Sequence, residues 1–235
     1  MHEPMTHKIF VTLAVLASLF MTGCGSKDTT TQATSATTTT ASAEAAAEVA
    51  TNEPDAKTSP PSEPGYTVDD YVKDNGVTET AIPPGATDAP QLTVPVPAGW
   101  IELPRDKPSD PWGSLILDGS AEPFATGIIV EYDKFTGPVD PATILELAPN
   151  SIQELPDYEG PETGEPSQVS GFDAVDIAGP SSYESKPAYS SLTTVVVPGE
   201  GGLYVLTLSA LGPADQEAAI TQAMSAMGSD IKIQA

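Results

Sequence analysis

A single cysteine sets the terms on which this chain can fold. Cys24 is the only one among 235 residues, and it closes a leader-like segment. His7 and Lys8 precede an apolar run of thirteen residues, Ile9 to Met21, which ends in Met21-Thr22-Gly23-Cys24. A membrane-spanning helix needs about 20 apolar residues, so residues 1–23 read as a signal peptide. The small pair before the cysteine resembles a bacterial lipobox, with Met21 in place of the usual leucine. Cleavage there leaves Cys24 as a lipidated N-terminus; a plain secretion signal beside a chance cysteine is the alternative.

The chemistry that remains is narrow. Both histidines, His2 and His7, fall in the leader, so the exported body has neither imidazole nor free thiol. A Ser-His-Asp or Cys-His apparatus needs one of them, as does a zinc site built on imidazole or thiolate. Exported domains often rely on disulfides, and this one has none to form. Its hydrophobic core alone must hold it.

Residues 25–64 contain fifteen Ser or Thr, four prolines and no aromatic residue. Such a stretch buries too little apolar surface to offset the entropy of ordering, so Cys24 to residue 64 reads as a lipidated cysteine on a disordered Thr/Ala/Pro-rich tether. It is either a passive spacer or a site for O-linked sugar. Residues 65–235 give 171 positions, enough for one globular domain with a substantial core. They hold 6 basic and 26 acidic residues. That balance argues against nucleic acid as a partner, because phosphate neutralisation needs Lys and Arg, and against adhesion of the domain itself to an anionic bilayer. Contact with membrane falls to acyl chains on Cys24; one chain holds marginally, two or more stably.

Local patterns outline the domain. Thr67 with Asp70 three residues on is a capping-box variant, Val68, Tyr71 and Val72 share a helical face, and Gly76 suits the closing position. Leu92, Val94 and Val96 alternate with Thr93, Pro95 and Pro97, an edge strand by its prolines. Short strands follow from Trp100, over 115–117 and over 127–135, the last with Ile128, Val130 and Tyr132 on one face and Ile129, Phe135 and charges on the other. Asp140-Pro141 opens a helix with Ile144, Leu145 and Ala148 as its stripe, ended or kinked at Pro149, and a further turn runs over 151–155. Strands over 169–178, 191–197 and 203–210 follow, the last two joined by a five-residue loop, 198–202. Leu203 to Leu208 is apolar on both faces and therefore central. Gly212-Pro213 begins a final helix with Ile220, Met224 and Met227 as its stripe, stopped at Gly228, and 231–233 adds a short strand. Connections this short favour an α+β sandwich: a mainly antiparallel sheet with helices on both faces.

Certain local strings carry a likeness. Tyr66-Thr67-Val68-Asp69-Asp70-Tyr71, Leu92-Thr93-Val94-Pro95-Val96-Pro97 with Trp100, Leu155-Pro156, Gly171-Phe172 and Val195-Val196-Val197-Pro198, together with the lipobox cysteine and Thr-rich tether, resemble the LpqN/LpqT-type lipoproteins of mycolate-containing actinobacteria. The likeness covers most of residues 65–235. It implies a single Mog1p/PsbP-like α/β/α domain, a cell-envelope role, and glycolipid binding or envelope assembly. It transfers no catalytic motif.

Other constellations carry less. Ser229-Asp230-Ile231-Lys232 fits S-x-x-K, yet the companion S-D-N and K-T-G strings are missing. Glu131 and Asp133 share a strand face and suit weak calcium binding at most. A carboxylate hydrolase needs two acids at a set separation, which spacing alone does not fix. Trp112, in Asp110-Pro111-Trp112-Gly113, and Phe124 stand in loops, each a lid on the core or a platform for sugar or lipid. Tyr183 and Tyr189 flank a hydroxyl-rich stretch, 181–189, suited to carbohydrate contact or to an exposed hairpin tip. The expectation is a cofactor-free, non-catalytic, exported protein, anchored by lipid to the outer face of the cytoplasmic membrane or the cell envelope. It would take a glycolipid or other lipid in an apolar pocket, with Trp112, Phe124, Tyr183 and Tyr189 as ligand contacts. The alternative is a protein-interaction adaptor with an acidic surface, its partner an envelope protein or a host protein.

Overall fold

The longest alternating runs of the sequence become the centre of one sheet. The computed structural model describes residues 65–121 and 123–234; the leader, Cys24 and the Thr-rich segment lie outside the described residues. In chain order the elements are α1 (Val68–Asp74), β1 (Thr78–Ala81), β2 (Gln91–Thr93), β3 (Trp100–Glu102), β4 (Gly113–Leu117), β5 (Gly127–Thr136), α2 (Pro141–Leu147) and α3 (Asn150–Gln153). Then come β6 (Glu165–Val169), β7 (Phe172–Tyr183), β8 (Lys186–Gly199), β9 (Gly202–Pro213), α4 (Glu217–Asp230) and β10 (Lys232–Gln234). Seven strands lie side by side in the order β3-β4-β5-β9-β8-β7-β6. β4 and β1 share one edge of β5, β4 against Gly127–Val130 and β1 against Asp133–Thr136. Every pairing is antiparallel, as connections of a few residues require.

Period two then assigns the faces. Ile128, Val130 and Tyr132 of β5 and Tyr204, Leu206 and Leu208 of β9 join a cluster with Ile220, Ala223, Met224 and Met227 of α4. The opposite face carries Phe135, Leu203, Val205 and Val196 under Val68, Tyr71 and Val72 of α1 and Ile144 of α2, and Val175, Ile177 and Leu192 under Ile152 of α3. β9 is therefore apolar on both sides and central. This is an α+β domain with a mainly antiparallel sheet and helices on both faces. α1 has the expected capping box, with the Thr67 side chain accepting from the Asp70 amide and Asp70 accepting from the Thr67 amide; Gly76 has φ +63°.

Several local readings are corrected. Leu92–Pro97 is not an edge strand of the main sheet: only Gln91–Thr93 pairs, and it pairs with β10 in a separate two-stranded ladder. Pro95 and Pro97 have no N–H with which to extend it. The strand expected over 169–178 is the end of β6, a Ser170-Gly171 turn and the start of β7. The loop over 198–202 shrinks to a two-residue turn, because Gly199 still pairs with Gly202. Gly212 and Pro213 belong to β9, a 3₁₀ turn at Ala214–Gln216 precedes α4, and α4 runs through Gly228 to Asp230. β1 and β6, polar and short, carry no alternating apolar signal and escape a reading by pattern.

Candidate functional site

The four aromatic residues singled out in the sequence do not form one group. Phe124 and Tyr183 meet: their ring centroids lie 4.9 Å apart at 33°. The stretch 181–189 is a hairpin tip, one of its two readings, with β7 running to Tyr183, β8 starting at Lys186 and a two-residue turn between them. Both turn residues have positive φ, Glu184 at 49° and Ser185 at 63°. Two-residue hairpin turns need that backbone, and Asn-Gly adopts it far more cheaply. Behind the tip, Ser181 and Ser190 share a buried hydroxyl–hydroxyl bond of 2.8 Å.

Trp112 and Tyr189 instead pack, half-buried, against the cluster on the α4 face. The turn ahead of Trp112 is held from within. Arg105 Nε donates to the carbonyls of Asp110 (3.2 Å) and Pro111 (3.1 Å), and Nη2 to that of Pro108 (2.8 Å). Asp110 Oδ2 accepts from the amides of Lys107 (2.7 Å) and Asp106 (2.8 Å). The Lys107 amide above all keeps the Asp110 carboxyl below the usual carboxylate range. A basic side chain thus spends its donors on backbone carbonyls, and Trp112 enters β4 from a fixed position.

The other end of the α4 face has two tyrosines that no sequence motif marks as functional. Tyr132 and Tyr204 are 2 % and 3 % exposed, with ring centroids 6.0 Å apart. Their hydroxyls donate to the carbonyls of Pro90 (3.2 Å) and Asp88 (3.1 Å) in the segment between β1 and β2. Lys134, opposite Tyr204 in the ladder, holds Nζ 5.2 Å from the Tyr204 ring centroid and donates to the Glu200 carbonyl. Alternation could have placed both tyrosines on one face, but no local signal shows that a distant loop crosses them.

The reverse face of the same strands gathers carboxylates. Glu79, Glu131 and Asp133 project there with Phe135, and Asp69 lies in the first turn of α1. Glu131 and Asp133 are half-buried, whereas Glu79 and Asp69 are exposed as whole residues. Burial, then the nearby acids, raises all four: Glu79 to about 7, Asp133 to about 6, and Glu131 and Asp69 in the same direction. The Glu131–Asp133 calcium reading gains no support from the geometry. Among the described residues no group of three or more His, Cys, Asp or Glu is placed to hold a metal. Ser229 is no nucleophile at a helix start either: it lies in the last turn of α4 and donates to the Ser225 carbonyl (2.9 Å).

Comparison with known proteins places this geometry. A family model described as "Probable lipoprotein LpqN" matches residues 64–234. The chain belongs to the LpqN lipoprotein family. Lipoprotein LpqN of Mycobacterium tuberculosis is 34% identical over 148 residues, which is 63% of this chain and 64% of that protein. The chain thus spans somewhat under two thirds of that relative. A crystal structure of LpqN, described as involved in cell envelope biogenesis of Mycobacterium tuberculosis, superposes with a TM-score of 0.69 at 30% identity. It covers 74% of this chain and all of the crystallised one. The resemblance drawn from the local strings therefore holds, and part of those strings lies in the core of this chain. Trp100, Val195 and Val197 are among its buried side chains. Among the described residues of this LpqN-type chain, no helix is long and apolar enough to cross a membrane.

Proposed function

We propose that this chain is a non-catalytic lipoprotein of the cell envelope, anchored through acyl chains on Cys24, that holds an amphiphile such as a glycolipid against the α4 face of its sheet. One observation carries the reading. The side chains of that face are 0–4 % exposed at Ile128, Val130, Tyr132, Leu206 and Leu208, yet every residue from 82 to 99 is at most half-buried. The segment includes five prolines, covers core without contributing a buried residue, and costs little to move. Half-buried Trp112 and Tyr189 lie on the same face and give an acyl chain aromatic contacts; the Phe124–Tyr183 stack is a second aromatic surface for the headgroup. The envelope role of the Mycobacterium tuberculosis LpqN supports the same reading. Chain lacking its acyl groups, mixed with an envelope lipid extract and examined by native mass spectrometry, should retain lipid. Retention of none, under conditions that preserve a control carrier, rejects the proposal.

A second reading, a protein-interaction adaptor, draws on the charge: 26 acids against 6 bases in the domain suit a basic partner surface. Crosslinking in intact cells separates the two, because adducts that persist when the α4 face is blocked favour the adaptor.

A further inference from the structure

The segment that crosses Tyr132 and Tyr204 is fastened in an unusual way. Between Ile82 and β2 it has prolines at 83, 84 and 90, so it lacks the amides that a strand would use. Its attachments are few. The Ile82 amide donates to the Tyr132 carbonyl (2.8 Å), the two tyrosine hydroxyls donate to Pro90 and Asp88, and three residues of β2 pair with β10. Gln91 Nε2 folds back onto the carbonyls of Ala86 (2.7 Å) and Ala89 (3.1 Å), which stiffens the segment without tying it to the sheet. β10 is held in turn by Ser170, whose Oγ accepts from the Ile233 amide (2.9 Å). Apolar attachment is limited to half-buried Ile82, Ala89, Leu92 and Val94.

Strands β1 and β5 also sort their side chains. Glu79, Glu131 and Asp133 go to the far face, while Thr80, Tyr132 and Lys134 share the near one by alternation and register. The segment thus rests on two phenol hydroxyls, with exposed Thr80 and the Lys134 ammonium on the same face of the sheet beside them and Val130, Leu206 and Leu208 in the same apolar cluster. That is a polar end on an apolar floor.

We propose that residues 83–93 form a displaceable strap: in the closed state its Pro90 carbonyl occupies the Tyr132 hydroxyl and its Asp88 carbonyl the Tyr204 hydroxyl, and when an amphiphile binds it leaves both and β2 unpairs from β10. The inference rests on the amphiphile reading above and adds to it a route of access and a closed state. Opening involves weak attachments only, and local openings of this kind occur far below the cost of global unfolding. Apparent affinity then scales with the open fraction.

The test uses residues 24–235 with C24S, so that introduced thiols have no competitor, and dodecyl maltoside below its micelle concentration as the probe. Thr93 and Lys232 are exposed and directly opposite in the β2–β10 ladder, a separation that a disulfide can span. T93C/K232C, once oxidised, should bind the probe at least tenfold more weakly than its reduced form. Y132F/Y204F, which removes both latching hydroxyls and keeps the rings, should bind at least threefold more tightly than the parent chain. Equal binding by oxidised and reduced protein overturns the strap and leaves amphiphile binding standing. Binding by Y132F/Y204F but not by the parent supports the strap as a closed latch. Binding by neither overturns the amphiphile reading and the strap with it. Circular dichroism and thermal melts confirm that each variant is folded.

Discussion

Replacing Asp133 with asparagine should make the domain more stable at pH 8, against the usual fate of mutated sheet residues. Asp133 is half-buried on β5, next in the ladder to Ala81 and near Glu131 and Glu79, and burial, then Glu131, pushes its carboxyl up to about 6. Its one basic neighbour on the strand, Lys134, lies on the opposite face against Tyr204. A carboxyl whose folded pKa exceeds its unfolded one binds its proton more tightly in the folded state, so stability falls as pH rises through the interval between them. For Asp133 that interval runs from 3.8 to about 6, and for Glu79 from 4.5 to about 7. Each pKa unit corresponds to about 1.4 kcal/mol, so the ionised Asp133 costs at most about 3 kcal/mol. Partial exposure and the sharing of protons with Glu131 reduce this to about 1–1.5 kcal/mol. Urea unfolding at pH 5 and pH 8 measures it. D133N should gain about 1 kcal/mol at pH 8 and about half as much at pH 5, which lies inside the interval, while the parent chain loses stability between the two. A variant that is destabilised at pH 8, or a parent whose stability rises across the interval, refutes the account of like charges held in a shared, partly desolvated patch.

Other perturbations probe other parts. Ser185→Gly at the β7–β8 turn should stabilise by about 1 kcal/mol, because glycine takes the φ of +63° without strain; thermal melting reads it, and a loss would mean that the turn changes type. Ser170→Ala strips the Ile233 amide of its acceptor and should cost about 1 kcal/mol, with amide exchange rising in 232–234 ahead of the main sheet. Met227→Ala opens a cavity beneath α4, where the side chain is 0 % exposed, and should cost about 2–5 kcal/mol by chemical denaturation.

How far the sequence reached depended on which physics set each element. Runs such as Ile128–Phe135 and Leu203–Leu208 announce both period and burial, so the sheet centre and its two-sided cover were legible. So were the Thr67–Asp70 cap and the Asp140-Pro141 helix start, which rest on neighbours a few residues apart. Asp140 itself needed the structure: its carboxylate accepts from the Thr143 hydroxyl (3.0 Å) instead of capping an amide. Strand β1 is Thr-Glu-Thr-Ala with all four residues exposed, and only the free edge of β5 makes it a strand. Glycine 212 looked like a helix start because Pro213 follows it, yet it is a place of close approach: a Cβ there would lie 2.7 Å from the Thr126 side chain. The site suffered most. Phe124 and Tyr183 are 59 residues apart in sequence, and the tyrosine pair under the strap is joined to it by contacts 42 and 116 residues long.

On the amphiphile reading, family likeness and ligand choice therefore rest on different residues. Trp100, Val195, Val196 and Val197 belong to the strings that carry the likeness and also sit in the core, buried to 7 % or less; a change there alters packing, so such positions are constrained whatever the protein binds. The strap, the Arg105-held turn before Trp112 and the 184–185 hairpin tip are surface segments on the same scaffold, free to differ in length and side chain without disturbing the sheet. On the amphiphile reading proposed above, the core fixes where a ligand face can form, while these three segments decide what reaches it. Exchanging residues 83–90 with the equivalent segment of the Mycobacterium tuberculosis LpqN should accordingly leave the melting temperature nearly unchanged and alter amphiphile preference. The converse result, a large loss of stability with preference intact, would assign the strap to the core and move recognition elsewhere.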